Sequence, residues 1–121
     1  MAKKILVIDD DELVVKTLRR LLVSQGYEAD TANSAAEALN KISVSDFDLI
    51  ISDIRMPGKN GVETAHEVKK MFSEKAKKDI PVVFITGFAE MGDQLKAEQL
   101  GEVVLKPFDL DRIVMTIRDY L

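Results

Sequence analysis

The chain contains no cysteine. A disulfide framework, a thiolate metal site and a cysteine nucleophile are therefore excluded, and a cytoplasmic setting is expected. There is one histidine, His66, with no second histidine to share a metal. It stands one position off the apolar stripe of its helix and is expected at the surface or its boundary. Positive charge is not in excess: Lys plus Arg is 17 against 21 Asp plus Glu, a net charge of −4. Direct nucleic-acid binding is not expected without a basic footprint. No apolar run approaches the ~20 residues that span a bilayer. The opening Met-Ala-Lys-Lys-Ile-Leu-Val-Ile-Asp-Asp turns acidic too soon to form a signal-peptide core. Low-complexity tracts, internal repeats and Gly-rich phosphate loops are also missing. What remains is 121 residues, 46% hydrophobic and 31% charged, which predicts one globular domain over residues 1–121.

Five short apolar blocks punctuate the chain: Ile5–Ile8, Tyr27–Ala32, Leu49–Ile51, Val82–Ile85 and Val103–Leu105. Four are continuous and rich in Ile, Val and Leu, as in strands buried on both faces. Tyr27–Ala32 alternates instead and belongs at a sheet edge with one face wet. Helical spacing fills the gaps. Val14, Leu18, Leu21 and Leu22 share one face. Ser34 and Glu37 form a capping-box pattern ahead of Ala35, Ala38, Leu39 and Ile42. Gly61, Ala65, Val68 and Phe72 give a third helix, and Leu110, Ile113, Val114, Ile117 and Leu121 a last one. Between them, residues from about Glu90 to Leu100 offer only Met91 and Leu95 as anchors, so a loosely held helix is expected. Regular βα alternation with right-handed crossovers predicts an α/β fold: a five-stranded parallel, doubly wound sheet with helices on both faces.

In such a sheet all strands end on one edge, where ligands bind. The residues following the blocks are Asp9, Asp10 and Asp11; Ser52 and Asp53; Thr86 and Gly87; and Lys106 and Pro107. Asp11 suits a helix N-cap. The other carboxylates, brought together, repel by about 4 kcal/mol per pair at 4 Å and an effective dielectric of 20. They must hold protons or recruit a cation. With oxygen donors only, Mg²⁺ fits best. A cation, the Lys106 ammonium and the Thr86 hydroxyl around one carboxylate make a cradle for a phosphoryl group, and a carboxylate can itself be the nucleophile.

These residues resemble a known family from end to end. Ile5-Leu6-Val7-Ile8-Asp9-Asp10-Asp11, Asp48-Leu49-Ile50-Ile51-Ser52-Asp53-Ile54-Arg55-Met56-Pro57 with Gly58 and Gly61, Val82-Val83-Phe84-Ile85-Thr86-Gly87, and Lys106-Pro107-Phe108 are similar to the motifs of the receiver domain of bacterial two-component response regulators. The resemblance implies a flavodoxin-like fold with strand order 2-1-3-4-5. It implies Asp53 as phosphoacceptor, with Mg²⁺ held by Asp9 through water, by Asp10 directly, by Asp53 and by the Arg55 carbonyl. Thr86 and Lys106 would contact the phosphoryl group, Gly87 would leave room for it, and Lys106–Pro107 would be cis. The implied partners are a sensor histidine kinase or histidine phosphotransfer protein and a downstream target that the sequence does not name. The implied activity is a phosphorelay switch, not an enzyme beyond its own phosphorylation and dephosphorylation.

Two departures stand out. Val103 occupies a position where the family often has Tyr or Phe, and the Gln99–Glu102 loop before it is short. Another element must then report the state of the site, and the helix near Glu90–Leu100 is the one expected to. Arg55 and Phe88 flank the site and are expected to shield the acyl phosphate. A flavodoxin-like nucleotide binder would need a Gly-, Ser- or Thr-rich first turn, whereas Asp9-Asp10-Asp11-Glu12 repels phosphate. A haloacid-dehalogenase-type enzyme would continue differently after Asp9-x-Asp11. A phosphorylation-independent docking receiver would have a degraded pocket. No output domain follows Leu121, so a single-domain regulator or the receiver piece of a longer protein is expected.

Overall fold

A computed structural model describes residues 2–56, 58–75, 77–87 and 91–121, with Met91 described by its backbone alone. Strands and helices alternate: β1 Lys4–Ile8, α1 Glu12–Ser24, β2 Glu28–Ala32, α2 Ala35–Val44, β3 Leu49–Asp53, α3 Gly61–Glu74, β4 Val82–Thr86, α4 Met91–Leu100, β5 Glu102–Leu105 and α5 Leu110–Tyr120. The strands form one parallel sheet in the order β2-β1-β3-β4-β5, as expected.

The period-2 alternation of each strand divides the core into two layers. Leu6, Ile8, Ile50, Val82 and Phe84 point to one side, where Ala38 and Ile42 of α2, Val68 and Phe72 of α3 and Ala97 of α4 cover them. Ile5, Val7, Ile51, Val83 and Ile85 point to the other, beneath Leu18 and Leu22 of α1 and Ile113 and Ile117 of α5. A fully buried Leu, Ile, Val or Phe contributes about 1.5–3 kcal/mol, so the three central strands dominate the core.

Helix starts follow side-chain chemistry. Asp11 caps α1 by accepting from the Leu13 amide at 2.9 Å. Ser34 caps α2 by accepting from the Glu37 amide, while the Glu37 carboxylate turns to Lys41 Nζ at 3.6 Å. The complete capping box is at α3, between Asn60 and Glu63.

Two sequence expectations need correction. Val103–Leu105 does not form a strand buried on both faces. β5 pairs only with β4 and is a sheet edge, like β2, so Val103 is half-buried and Leu105 is 57% exposed. Leu95 does not anchor α4 either, being 55% exposed. Among the described side chains of that helix Ala97 is the fully buried one, and Leu100 packs beside it. The expected start at Glu90 lies outside the described residues. His66 is exposed, as expected.

Candidate phosphoacceptor site

The parallel sheet delivers the chemistry to one edge. Asp53 is the last residue of β3, paired with Ile85, and Thr86 is the last residue of β4, paired with Leu105. Asp9 directly follows β1, and its amide donates to the Ala32 carbonyl at 3.1 Å. The Lys106 amide extends the β4–β5 ladder by one step, donating to the Thr86 carbonyl at 2.7 Å. Lys106–Pro107 is cis.

The side chains converge. One carboxylate oxygen each from Asp9, Asp10 and Asp53 lie within 4.8 Å of one another. Lys106 Nζ stands between two of these residues, 2.9 Å from Asp9 Oδ2 and 3.2 Å from Asp53 Oδ2. Asp9 is fully buried, Asp53 nearly so, and Asp10 is exposed. Two main-chain amides orient the carboxylates: Asp11 N–H donates to Asp9 Oδ1 at 3.0 Å, and Arg55 N–H to Asp53 Oδ1 at 3.3 Å. Two parts are expected of Arg55 from the sequence, its carbonyl at the metal and its side chain as a shield of the acyl phosphate. Its own amide is a further contact that a motif does not reveal. Lys106 crosses the end of β4 beside Gly87, where an added Cβ would lie 3.5 Å from Lys106 Cβ and 3.7 Å from Cδ. A small residue at 87 lets the lysine stem pass. Phe88 lies outside the described residues.

Electrostatics explain what the site lacks. Burial pushes the Asp9 carboxyl above the usual carboxylate range. The Asp11 amide and Lys106 oppose this rise, and the Asp53 charge adds to it. Burial also works to lower Lys106, but the hydrogen bond to Asp9 and the charges of Asp53 and Asp9 outweigh it, so the ammonium titrates above its ordinary 10.5. Lys106 bridges two of the three carboxylates, Asp9 and Asp53. An all-oxygen set of this kind suits a hard divalent ion such as Mg²⁺. Thr86 Oγ1 is buried and has no hydrogen-bond partner among the described residues. A buried hydroxyl left unpaired costs about 1–3 kcal/mol, so a ligand oxygen arriving at the site would satisfy it.

A doubly wound 2-1-3-4-5 sheet with an acidic cluster, a hydroxyl and a lysine at its carboxyl edge defines the receiver class of phosphorelay proteins. The chain matches the response regulator receiver domain family over residues 5–118 and belongs to it. It is 33% identical to the polar-differentiation response regulator DivK of Brucella ovis over the whole chain and 98% of that protein. It is 35% identical to the probable transcriptional regulator ycf29 of Pyropia yezoensis, of which it spans 54%. Among solved structures, the response regulator TrrA of Thermotoga maritima, determined in complex with Mg²⁺ and BeF, is 35% identical with a TM-score of 0.84, covering 98% of this chain and 99% of that one. The chemotaxis protein CheY4 of Vibrio cholerae is 28% identical with a TM-score of 0.86 over all of both chains. The protein is a signalling domain of two-component systems, a phosphorelay switch and not a classical enzyme. The nucleotide-binding and docking-only alternatives are not favoured. Among the described residues, no helix is long and apolar enough to cross a membrane.

Proposed function

We propose that residues 1–121 form one cytoplasmic receiver domain that accepts a phosphoryl group on Asp53 from a phosphohistidine of a sensor kinase or phosphotransfer protein. The observation that carries this reading is the meeting of Asp9, Asp10 and Asp53 within 4.8 Å, with Lys106 Nζ 3.2 Å from Asp53. Asp9, Asp10, Asp53 and the Arg55 carbonyl would hold Mg²⁺. That ion supplies charge neutralisation for the incoming phosphoryl oxygens.

The chain's own groups do the rest. Asp53 is held by the Arg55 amide at one oxygen and by Lys106 at the other. One of these carboxylate oxygens forms the new O–P bond as the donor's P–N bond breaks and the imidazole departs with the electron pair. Lys106 exchanges a carboxylate for a phosphoryl oxygen, and the Thr86 hydroxyl donates to another. The same groups support the domain's loss of its own phosphoryl group to water. The added charge, about −1.5 to −2 for a phosphoester at neutral pH, biases the α4–β5–α5 side, which a downstream partner reads.

Incubation with acetyl phosphate and Mg²⁺, followed by intact-mass measurement, tests the reading. One added phosphoryl group is expected, and none in Asp53→Asn. Labelling that persists in Asp53→Asn refutes the assignment.

A further inference from the structure

We propose that Ser52 is a positioning residue for the phosphoacceptor; the inference rests on Asp53 accepting the phosphoryl group. Ser52 is 1% exposed and lies beneath α3 among Ile8, Ile50, Ala65, Val68, Val82 and the buried Thr64, whose own hydroxyl donates to the Asn60 carbonyl at 2.8 Å. A buried hydroxyl is costly unless it is hydrogen-bonded. Its bond goes to the neighbouring residue's main chain: Ser52 Oγ donates to the Asp53 carbonyl at 2.9 Å.

That carbonyl belongs to the peptide unit that aims the acceptor. The other end of the unit, the Ile54 amide, makes only a long 3.3 Å bond to the Ile85 carbonyl as the β3–β4 ladder runs out. The next amide, of Arg55, is the one that holds Asp53 Oδ1. On its far side the peptide rests against Gly61, where an added Cβ would lie 2.0 Å from the Asp53 carbonyl oxygen and 2.9 Å from its carbon. The Gly61 amide donates to the Ile54 carbonyl at 2.8 Å. The Asp53–Ile54 peptide is therefore gripped by a hydroxyl on one side and a bare α-carbon on the other. Misplacing a reacting group by ~1 Å can cost as much as 10²-fold in rate, so a fixed peptide here has direct value for the transfer.

The test compares Ser52→Ala and Ser52→Thr with the parent, using acetyl phosphate as donor and Mg²⁺ throughout. Saturating rate and half-saturating donor concentration are measured separately, with urea midpoints in parallel. Ser52→Ala is expected to lower the saturating rate by about 2- to 10-fold, the effect of one net hydrogen bond, with half-saturation unchanged. Ser52→Thr, which keeps the hydroxyl, is expected to restore the rate. A hydroxyl with a merely structural role would move the urea midpoint alone. A Ser52→Ala protein that runs at the parent's saturating rate overturns the proposal, as does a fully stable Ser52→Thr protein as slow as Ser52→Ala. Failure of the parent itself to be labelled at Asp53 overturns the phosphoacceptor reading instead.

Discussion

Gly92 and Gly101 sit at the two ends of α4, and the same substitution should have opposite effects at each. At Gly101 an added Cβ would lie 1.9 Å from the Val82 carbonyl oxygen and 3.0 Å from its carbon. A carbon–oxygen contact needs about 3.3 Å, so the α4–β5 junction would have to retreat by more than about 1 Å. The obstructing atoms are main chain of Val82, a buried residue at the start of β4 paired with Ile50 of β3, so they cannot rotate away. Overpacking typically costs about 1–3 kcal/mol, and backbone as the obstacle puts Gly101→Ala at the upper end. For a domain of this size that is a fall of about 6–15 °C in Tm. At Gly92 nothing lies within 4 Å of the added Cβ. Replacing a helical glycine by alanine there should stabilise by up to about 0.5–1 kcal/mol. Urea denaturation followed by far-UV circular dichroism measures both. A Gly101→Ala protein within about 0.5 kcal/mol of the parent, the ordinary range for a neutral surface change, refutes the close approach of α4 and β5 to β4.

Three further outcomes follow from the site and its edge. Asp10→Ala should weaken Mg²⁺ binding by about 10-fold or more, since even outer-shell groups are worth that much; calorimetric titration reads it, and an unchanged affinity excludes Asp10 as a ligand. Lys106→Met, measured in EDTA, should lower stability by about 2–4 kcal/mol, because removing one partner of a buried pair leaves Asp9 uncompensated; an unchanged urea midpoint refutes the pairing. The Asp30–Lys41 pair gives a pH signature. Burial works to raise Asp30, but the Lys41 and Thr31 hydrogen bonds outweigh it, so the carboxyl titrates below its ordinary 3.8. Its contribution is present above 3.8 and is lost as pH falls through the lower folded value. Asp30 and Lys41 are 40% and 32% exposed in their side chains, so Asp30→Asn should cost less than about 1 kcal/mol at neutral pH. The gap between parent and Asp30→Asn should close in acid, and a gap that persists there contradicts the assignment.

The sheet and its acidic edge are legible in the sequence for a geometric reason. Four of the five strands carry an apolar run rich in Ile, Val and Leu that gives way to a polar residue, and a parallel sheet places all such stops on one edge. Asp9, Asp53, Thr86 and Lys106 are thus assembled from strand ends 97 residues apart at most. Their main-chain supports are not legible in this way. The amides of Asp11 and Arg55 hold carboxylates through loop conformation, which side-chain identity does not encode. Ser52 reads simply as the residue after a buried run. The β5 error has a similar origin. Hydrophobicity reports that Val103-Val104-Leu105 can be buried, but the number of neighbouring strands decides whether it is, and β5 has one neighbour.

The misassigned anchor of α4 follows from the same contact that the glycine comparison tests. Hydrophobicity favours Leu95 over Ala97, because a larger apolar side chain gains more from burial. Gly101 brings the end of α4 directly against the Val82 carbonyl, and its amide donates to the Ala97 carbonyl at 2.9 Å. A helix held this close to the sheet has room for a methyl group on its inner face, and Ala97 supplies it. Leu95 is left to solvent. Among its described side chains the helix then gains the burial of one methyl and part of Leu100, while α3 buries Val62, Ala65, Val68 and Phe72. A ten-residue helix is marginal in isolation. Close packing and weak anchoring in α4 are thus one fact: the glycine that pins its end is the reason its inward face must be small.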